Sequence, residues 1–587
     1  LETKKIRLLP IFFLTLLLFL ISFLTALGLG SLNPLLILVL VYLLWYTGKK
    51  LGNDLFSWRL DFTTGVCILF SLLFSLILAT GSRIQFTHVS ANYEETTLDP
   101  FSFVQLLIAL ATFCYFLIIL RFMIKYLIQI SSYLGGINVD LQPTWKFFLL
   151  FTIIMLLCWT PYALTLYPGV VLPDSLSSVS QALGDTALNN HHPILFTLIV
   201  KFFIDILPTT INHGVFLFSL FQSLITALAL SYSLCWLMKK KIKLAPVMLS
   251  LGYFSLAPVF PIYVLNMQKD ILFSVACLLF SLTFFDVITN KNKPTIAQQL
   301  SLIIFALLTT YLRNNGLYVV IGSLVLYGIY TINNKKYQPF IQVTLSYLFL
   351  VILVFQPLMS RYAIPSQSAE QLGIPLQQIS RTVVLDEGKL SKKDQEFLNQ
   401  ILPIEDYKAY APSLADPVKW HKNFNNEFLN AHKKEFLMLW ARNLPSNLKI
   451  YIDAYILETF GFWAPGVKNS YGFLDTRVNE NSYGIKQANL IERYTGSSGL
   501  QTMIDQRDFW GSGTLLWLFL LSLFLLLVKK NTYPIALLLP GGFVFLTIMI
   551  ATPVAFSLRY VFILALGLPI YLLSPFLLEN ENKTTTI

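Results

Sequence analysis

Apolar residues in this chain come in long runs, and polar residues collect in the gaps between them. A window of about 19 residues marks runs near 8–28, 34–47, 61–80, 101–124, 146–166, 214–238, 244–264, 270–288, 296–312, 316–332, 338–358, 512–528, 534–552 and 558–578. Most approach the roughly 20 residues that a helix needs to cross hydrocarbon. The pattern predicts an all-α polytopic membrane protein with about fourteen transmembrane helices. The first run follows a basic start and is longer than a usual signal-peptide core, so it reads as an uncleaved helix.

Composition agrees. The 587 residues are 55% apolar and only 12% charged, and the mean hydropathy of +0.65 lies outside the range of soluble domains. A net charge of +11 is a reason to consider nucleic acid, but Lys and Arg sit in short clusters between the runs. With Lys4, Lys5 and Arg7 inside, alternation also puts Lys49/Lys50, Arg121/Lys125, Lys239 to Lys243, Lys291/Lys293, Lys335/Lys336 and Lys529/Lys530 inside. The positive-inside rule accounts for this pattern, so no nucleic-acid partner is expected and both termini are read as cytoplasmic. The five cysteines all fall in apolar runs without a CxxC, which suggests neither disulfides nor a thiolate metal site.

Four parts follow: N-terminal helices over 1–145, a transmembrane core over 146–358, an extracellular and mostly helical domain over 359–511, and C-terminal helices over 512–587. The expected location is the cell membrane, with multiple passes. The unusual polar motifs share the outer face. The main one is the loop 167–213, which begins YPGVVLPDSLSSVSQALGDTALNNHHP. Irregular backbone here must leave the bilayer or line a protein-walled cavity.

Asp174 is the leading candidate. It follows Pro173 before SLSSVSQAL, where a carboxylate also suits a plain helix cap. Gln181 and Asp185 lie close by in sequence. The adjacent pair His191 and His192 projects in different directions on a helix, so it suits hydrogen bonding or substrate positioning better than metal ligation. Lys269-Asp270 opens the span after NMQ, and a snorkelling lysine beside a capping acid is the ordinary alternative there. Arg313-Asn314-Asn315 occupies the next outer mouth, and Arg559 enters the last span from outside. Arginine plus amides forms a fork for phosphate oxygens, although interfacial anchoring is the simpler role. Together these groups suit a phosphate at the membrane surface with a hydrophilic group above it, the shape of a polyprenyl-phosphate sugar.

With PDS at 173–175, the QALG and HHP elements, KDILFSVACLLF and LRNNGLYVVIGSLVLYG, the chain resembles the GT-C class of integral-membrane glycosyltransferases, which includes protein O-mannosyltransferases and the aminoarabinose transferase of lipid A. More closely, these motifs with YIDAYILETFGFWAP resemble an uncharacterised family of large membrane proteins from Gram-positive bacteria. The resemblance spans most of 146–580 and rests on short motifs. It departs from the class in having four extra spans before the catalytic loop, and in Ser175 standing where a paired acid is usual. Asp185 or Asp270 then supplies any second carboxylate, and a divalent cation, Mg or Mn, is left open.

The resemblance implies an inverting transferase that moves a sugar from a polyprenyl-phosphate donor to a cell-envelope glycan or other acceptor. Asp174 would be the general base, with Arg313, Arg559 and Lys269 on the donor phosphate. His191, His192, Asp270, Asn314, Asn315 and Gln181 would position substrate, and Tyr455, Glu458 and Trp463 would shape an acceptor groove. The expected partners are the lipid-linked donor, the glycan acceptor and membrane lipids. The rival readings are a flippase for lipid-linked saccharides, a polysaccharide polymerase or ligase with a lipid-diphosphate donor, and a scaffold that binds cell-wall polymer.

Overall fold

The computed structural model describes residue 42 and residues 61–85, 96–134, 143–190, 192–289, 294–334, 337–362, 368–385, 388–467, 476–505, 510–531, 533–551, 554 and 557–577. The first expected span, all of the second except residue 42, and His191 lie outside these residues. The architecture is that of an all-α membrane protein. Six of the described helices are long and apolar enough to cross a membrane: α1 (Phe62–Gly81), α2 (Phe103–Leu134, apolar over Phe103–Arg121), α3 (Trp145–Thr165), α4 (Ile211–Lys239), α5 (Lys269–Thr289), and the stretch Gln338–Tyr362. Shorter apolar helices are Leu244–Leu256, α6 (Ile296–Leu312), α7 (Gly316–Asn334), α8 (Ser512–Val528) and α9 (Ile535–Ala551).

Burial separates their roles. The apolar window of α5 is 89% buried, whereas that of Gln338–Tyr362 is only 17% buried. A helix that is apolar all round belongs inside a bundle, and α5 packs against α4, α6 and α9. A two-residue hairpin, Ile84–Gln85 against Thr97–Leu98, joins α1 to α2 and is a small β exception to the all-α expectation.

Two expected spans are not continuous helices. The run 244–264 divides at Ala257-Pro258 into Leu244–Leu256 and Val259–Val264, because proline offers no N–H and disfavours helix in the residue before it. The run 558–578 becomes four short pieces: Leu558–Val561, Ile563–Leu566, Leu568–Leu573 and Ser574–Phe576. Its residues are nearly all buried, and such broken backbone is tolerated at membrane depth only when protein surrounds it.

The segment 359–511 is largely helical among its described residues and builds a second hydrophobic core from Leu376, Ile379, Leu398, Ile401, Phe436, Leu439 and Tyr451. Its helix α10 (Leu448–Trp463) packs on α8 and joins the segment to the bundle.

The polar loop is held in place by backbone pairing. Val170 donates to Leu265 O at 2.9 Å and accepts from Met267 N at 3.0 Å. Val171 donates to Arg477 O and accepts from Asn479 N, and Tyr167 accepts from Ala488 N. Three distant pieces of chain therefore converge on residues 167–171. Gly169, at φ +137°, is required there, since a Cβ would lie 2.3 Å from Ser219 Oγ.

Candidate functional site

The stitched strand leads directly into the helix Pro173–Leu183, with Asp174 in its first turn. Asp174 does not cap this helix, whose N-cap is Leu172. Its Oδ2 accepts from Arg559 Nη1 at 2.8 Å. Ser175 is fully buried and donates to Met267 O at 2.7 Å, so it ties the helix to the segment before α5.

Asp174, Ser178, His192, Phe196, Met267, Gln268, Lys269 and Asp270 line one narrow cleft. Lys269 Nζ lies 3.4 Å from His192 Nδ1. Asp270 is 1% exposed, and its Oδ1 lies 3.2 Å from Arg313 Nη1. The Arg313 guanidinium also donates to Tyr560 O at 2.9 Å and lies over the rings of Phe273 and Tyr560. Arg559 donates in addition to the Tyr560 hydroxyl at 2.8 Å. Two of the three expected phosphate cations, Arg559 and Arg313, thus each hold one of the two cleft acids, with Tyr560 between them.

The remaining residues divide between the cleft and the framework. Asn314 donates to Asn190 O at 2.7 Å and steadies the end of the polar loop. Asn315 donates to Thr547 Oγ1 on α9, so it is an anchor of that helix. Gly316 closes the turn, and a Cβ there would lie 1.8 Å from Thr309 O. Gln181 accepts from Asn189 N at 3.1 Å, while Asp185 is exposed and outside the cleft wall. Asp270 is therefore the second acid of the cleft.

The three acceptor-groove residues lie in packing and are not in the cleft wall. Tyr455 donates to Met549 O at 3.1 Å, and Trp463 donates to Thr459 Oγ1 at 2.9 Å. Glu458 is fully buried and accepts from Gln377 Nε2 at 2.8 Å. Burial pushes its carboxyl well above the usual carboxylate range, against the opposing effect of the Gln377 hydrogen bond. The cause is the packing of α10, which turns Tyr455 toward α9, Trp463 toward α8 and Glu458 toward the helix Gly373–Val384.

Gln268 was missed in the sequence, although it is the residue immediately before the noted Lys269-Asp270. It is 3% exposed and lines the cleft. A polar side chain set between buried strand and helix start was the available signal.

A divalent cation does not fit this wall. Asp174 and Asp270 each face a guanidinium, Lys269 stands between them in the lining, and among the described residues no three His, Cys, Asp or Glu side chains form a metal-binding set.

The opposite end of the bundle carries a different pairing. Lys240 Nζ reaches Asp286 Oδ1 at 2.6 Å, and Trp236 Nε1 donates to Asp286 Oδ2. From Lys269 to Asp286, α5 rises about 25 Å, so the cleft and this ion pair mark its two ends.

Comparison with known proteins finds one family model, described as a family of unknown function, that matches residues 183–586. No curated protein and no solved structure matches the chain. The match includes His192, Gln268, Lys269, Asp270, Arg313 and Arg559, while Asp174 and Gln181 precede it. With more than two thirds of its length matched, the chain belongs to the family of unknown function DUF6020.

Proposed function

We propose that this protein is a membrane glycosyltransferase of GT-C type, with about fourteen spans, that takes a sugar from a polyprenyl-phosphate donor and passes it to a cell-envelope glycan or other acceptor on the outer face. The observation that carries the reading is the Asp174–Arg559 pair beside Lys269 and Asp270 in one cleft at the end of a membrane bundle. An acid for the acceptor hydroxyl and cations for a phosphate stand together there.

In this reading the donor phosphate takes Arg559 from Asp174, and Lys269 adds a second positive charge. The freed Asp174 carboxylate accepts the proton of the acceptor hydroxyl. The acceptor oxygen then bonds to the anomeric carbon as the carbon–oxygen bond to phosphate breaks, and the bonding pair leaves on the polyprenyl phosphate. Arg313 stays with Asp270. Donor entry parts the walls of the cleft, and exchange of the Arg559 partner accompanies opening.

The test is transfer of labelled sugar from synthetic polyprenyl-phosphate donors by the purified protein in nanodiscs. Activity that disappears in Asp174→Asn supports the reading. Equal activity in that variant removes Asp174 as base, and movement of donor across the bilayer without transfer replaces the enzyme with a flippase.

A further inference from the structure

Tyr560 touches both arginines that hold the cleft acids, and it does so with three different groups. Its backbone carbonyl accepts from Arg313 Nη1 at 2.9 Å, and its hydroxyl accepts from Arg559 Nη2 at 2.8 Å. Its ring centroid lies 4.9 Å from the guanidinium carbon of Arg313 and 4.7 Å from that of Arg559. Two like charges are thus kept beside one electron-rich ring, each with a carboxylate of its own. The support beneath them is firm. Tyr560 belongs to the buried turn Leu558–Val561, which packs on α5 and α9, and its N–H donates to Ser557 O at 3.3 Å.

Arg559 divides its fork between two partners. Nη1 goes to Asp174 and Nη2 to the Tyr560 hydroxyl. A guanidinium presents these nitrogens in a fixed plane, so one bond can break while the other keeps the plane oriented. The partners differ in how they answer an approaching anion. Asp174 is charged and 37% exposed, whereas Tyr560 carries a neutral phenol and is 9% exposed. An anion therefore repels and competes with the carboxylate on Nη1, and leaves the phenol on Nη2. A buried phenol that merely satisfied its oxygen would need one donor and no cation. Here hydroxyl, carbonyl and ring are all committed to the two arginines.

We propose that Tyr560 is a positioning residue for the anion site. Its hydroxyl is the pivot on which Arg559 stays oriented while Nη1 passes from Asp174 to a lipid-linked phosphate, and its carbonyl and ring keep Arg313 on Asp270 meanwhile. This rests on the reading of the cleft as a lipid-phosphate site. Tyr560 acts through the arginines and transfers no proton itself.

The experiment titrates undecaprenyl phosphate against the full chain in nanodiscs for wild type, Tyr560→Phe, Arg559→Met and the double variant, with sugar transfer assayed alongside. Tyr560→Phe keeps the ring and the backbone carbonyl and removes only the hydroxyl. It should weaken lipid-phosphate binding by about tenfold, the lower end for a hydrogen bond to a charged group. In the Arg559→Met background the same substitution should change binding by about twofold or less, because the pivot then has nothing to hold. An equal loss in both backgrounds makes Tyr560 a packing residue and overturns the inference. Binding in Tyr560→Phe that equals or exceeds wild type also overturns it, since the hydroxyl would then compete with phosphate for the fork. Should Tyr560→Phe fail to fold, 4-aminophenylalanine at position 560 keeps a polar tip with a poorly accepting nitrogen, and is read in the same way. Lipid-phosphate binding with this dependence on Arg559, but without sugar transfer, upholds the inference and overturns the transferase reading. Sugar transfer with wild-type binding in Tyr560→Phe does the reverse, and no binding of undecaprenyl phosphate by wild type overturns both.

Discussion

Asp174 Oδ2 and Arg559 Nη1 meet at 2.8 Å although 385 residues of chain separate them. Both side chains keep some exposure, 37% and 21%, so the pair is within reach of solvent. A carboxylate held by a guanidinium is occupied. Its availability as a base depends on a competitor for the arginine.

Asp174→Asn should lower sugar transfer by about 10²- to 10⁴-fold, the usual contribution of a positioned base. Binding of undecaprenyl phosphate should hold or strengthen, because the neutral amide releases Arg559. A parallel loss of lipid binding and transfer would instead mean that the pair is structural.

Arg559→Met should weaken undecaprenyl phosphate binding by about 10- to 100-fold, equivalent to the 1.5–3 kcal/mol of a hydrogen bond to a charged group. Arg559→Lys should recover only part, since an ammonium lacks the planar fork. Titration of vesicle-borne lipid phosphate against nanodisc protein measures this.

The Asp270–Arg313 pair is the more buried, at 1% and 12% exposure. Asp270→Asn strands a guanidinium among Phe273, Tyr560 and the cleft wall and should cost about 3–5 kcal/mol of stability. Adding Arg313→Gln should return part of that loss. Thermal unfolding of the single and double variants gives the coupling directly.

Glu458 should make stability depend on pH. Burial raises its pKa above the ordinary value of 4.5, so the folded chain binds this proton more tightly than the unfolded chain does. The stabilisation is fully present below about pH 4.5 and is lost as pH rises toward the folded pKa, at up to about 1.4 kcal/mol per unit. Glu458→Gln should flatten that slope. The same slope in both proteins would assign it to other groups.

Gly316→Ala should impair both folding and ligand binding. Its Cβ would lie 1.8 Å from Thr309 O, and the turn that must shift also carries Arg313. Reduced stability with unchanged phosphate binding would separate this turn from the site.

Long apolar runs made the helices readable at residue level. Ile296–Leu312 and Ser512–Val528 coincide with the expected boundaries, because in hydrocarbon the helix is the cheapest way to satisfy a backbone. The same logic missed the breaks at Pro258 and along 558–577, where surrounding protein takes the place of lipid and hydropathy cannot tell the two apart. The motifs around Asp174, Lys269, Arg313 and Arg559 stood out as polar residues at the ends of apolar runs. Their pairing did not, since which cation meets which acid is set by how helices pack. Residue type alone suggests Trp463, Tyr455 and Glu458 as groove residues, and the faces that α10 buries are a property of its partners α8, α9 and the helix Gly373–Val384. Gln268 carried no charge and so drew no notice.

The backbone bonds of Val171 to Arg477 and Asn479, and of Tyr167 to Ala488, have a consequence for gene architecture. The segment 359–511 is not a detachable module. Excising it removes three of the five backbone bonds that aim the strand leading into Asp174, so a shortened chain that still inserts in the membrane would carry every cleft residue and lack the brace that aligns them. Truncated or split relatives would have to supply these two short strands from elsewhere, and supplying 476–488 as a separate peptide is a direct way to ask whether the brace works in trans.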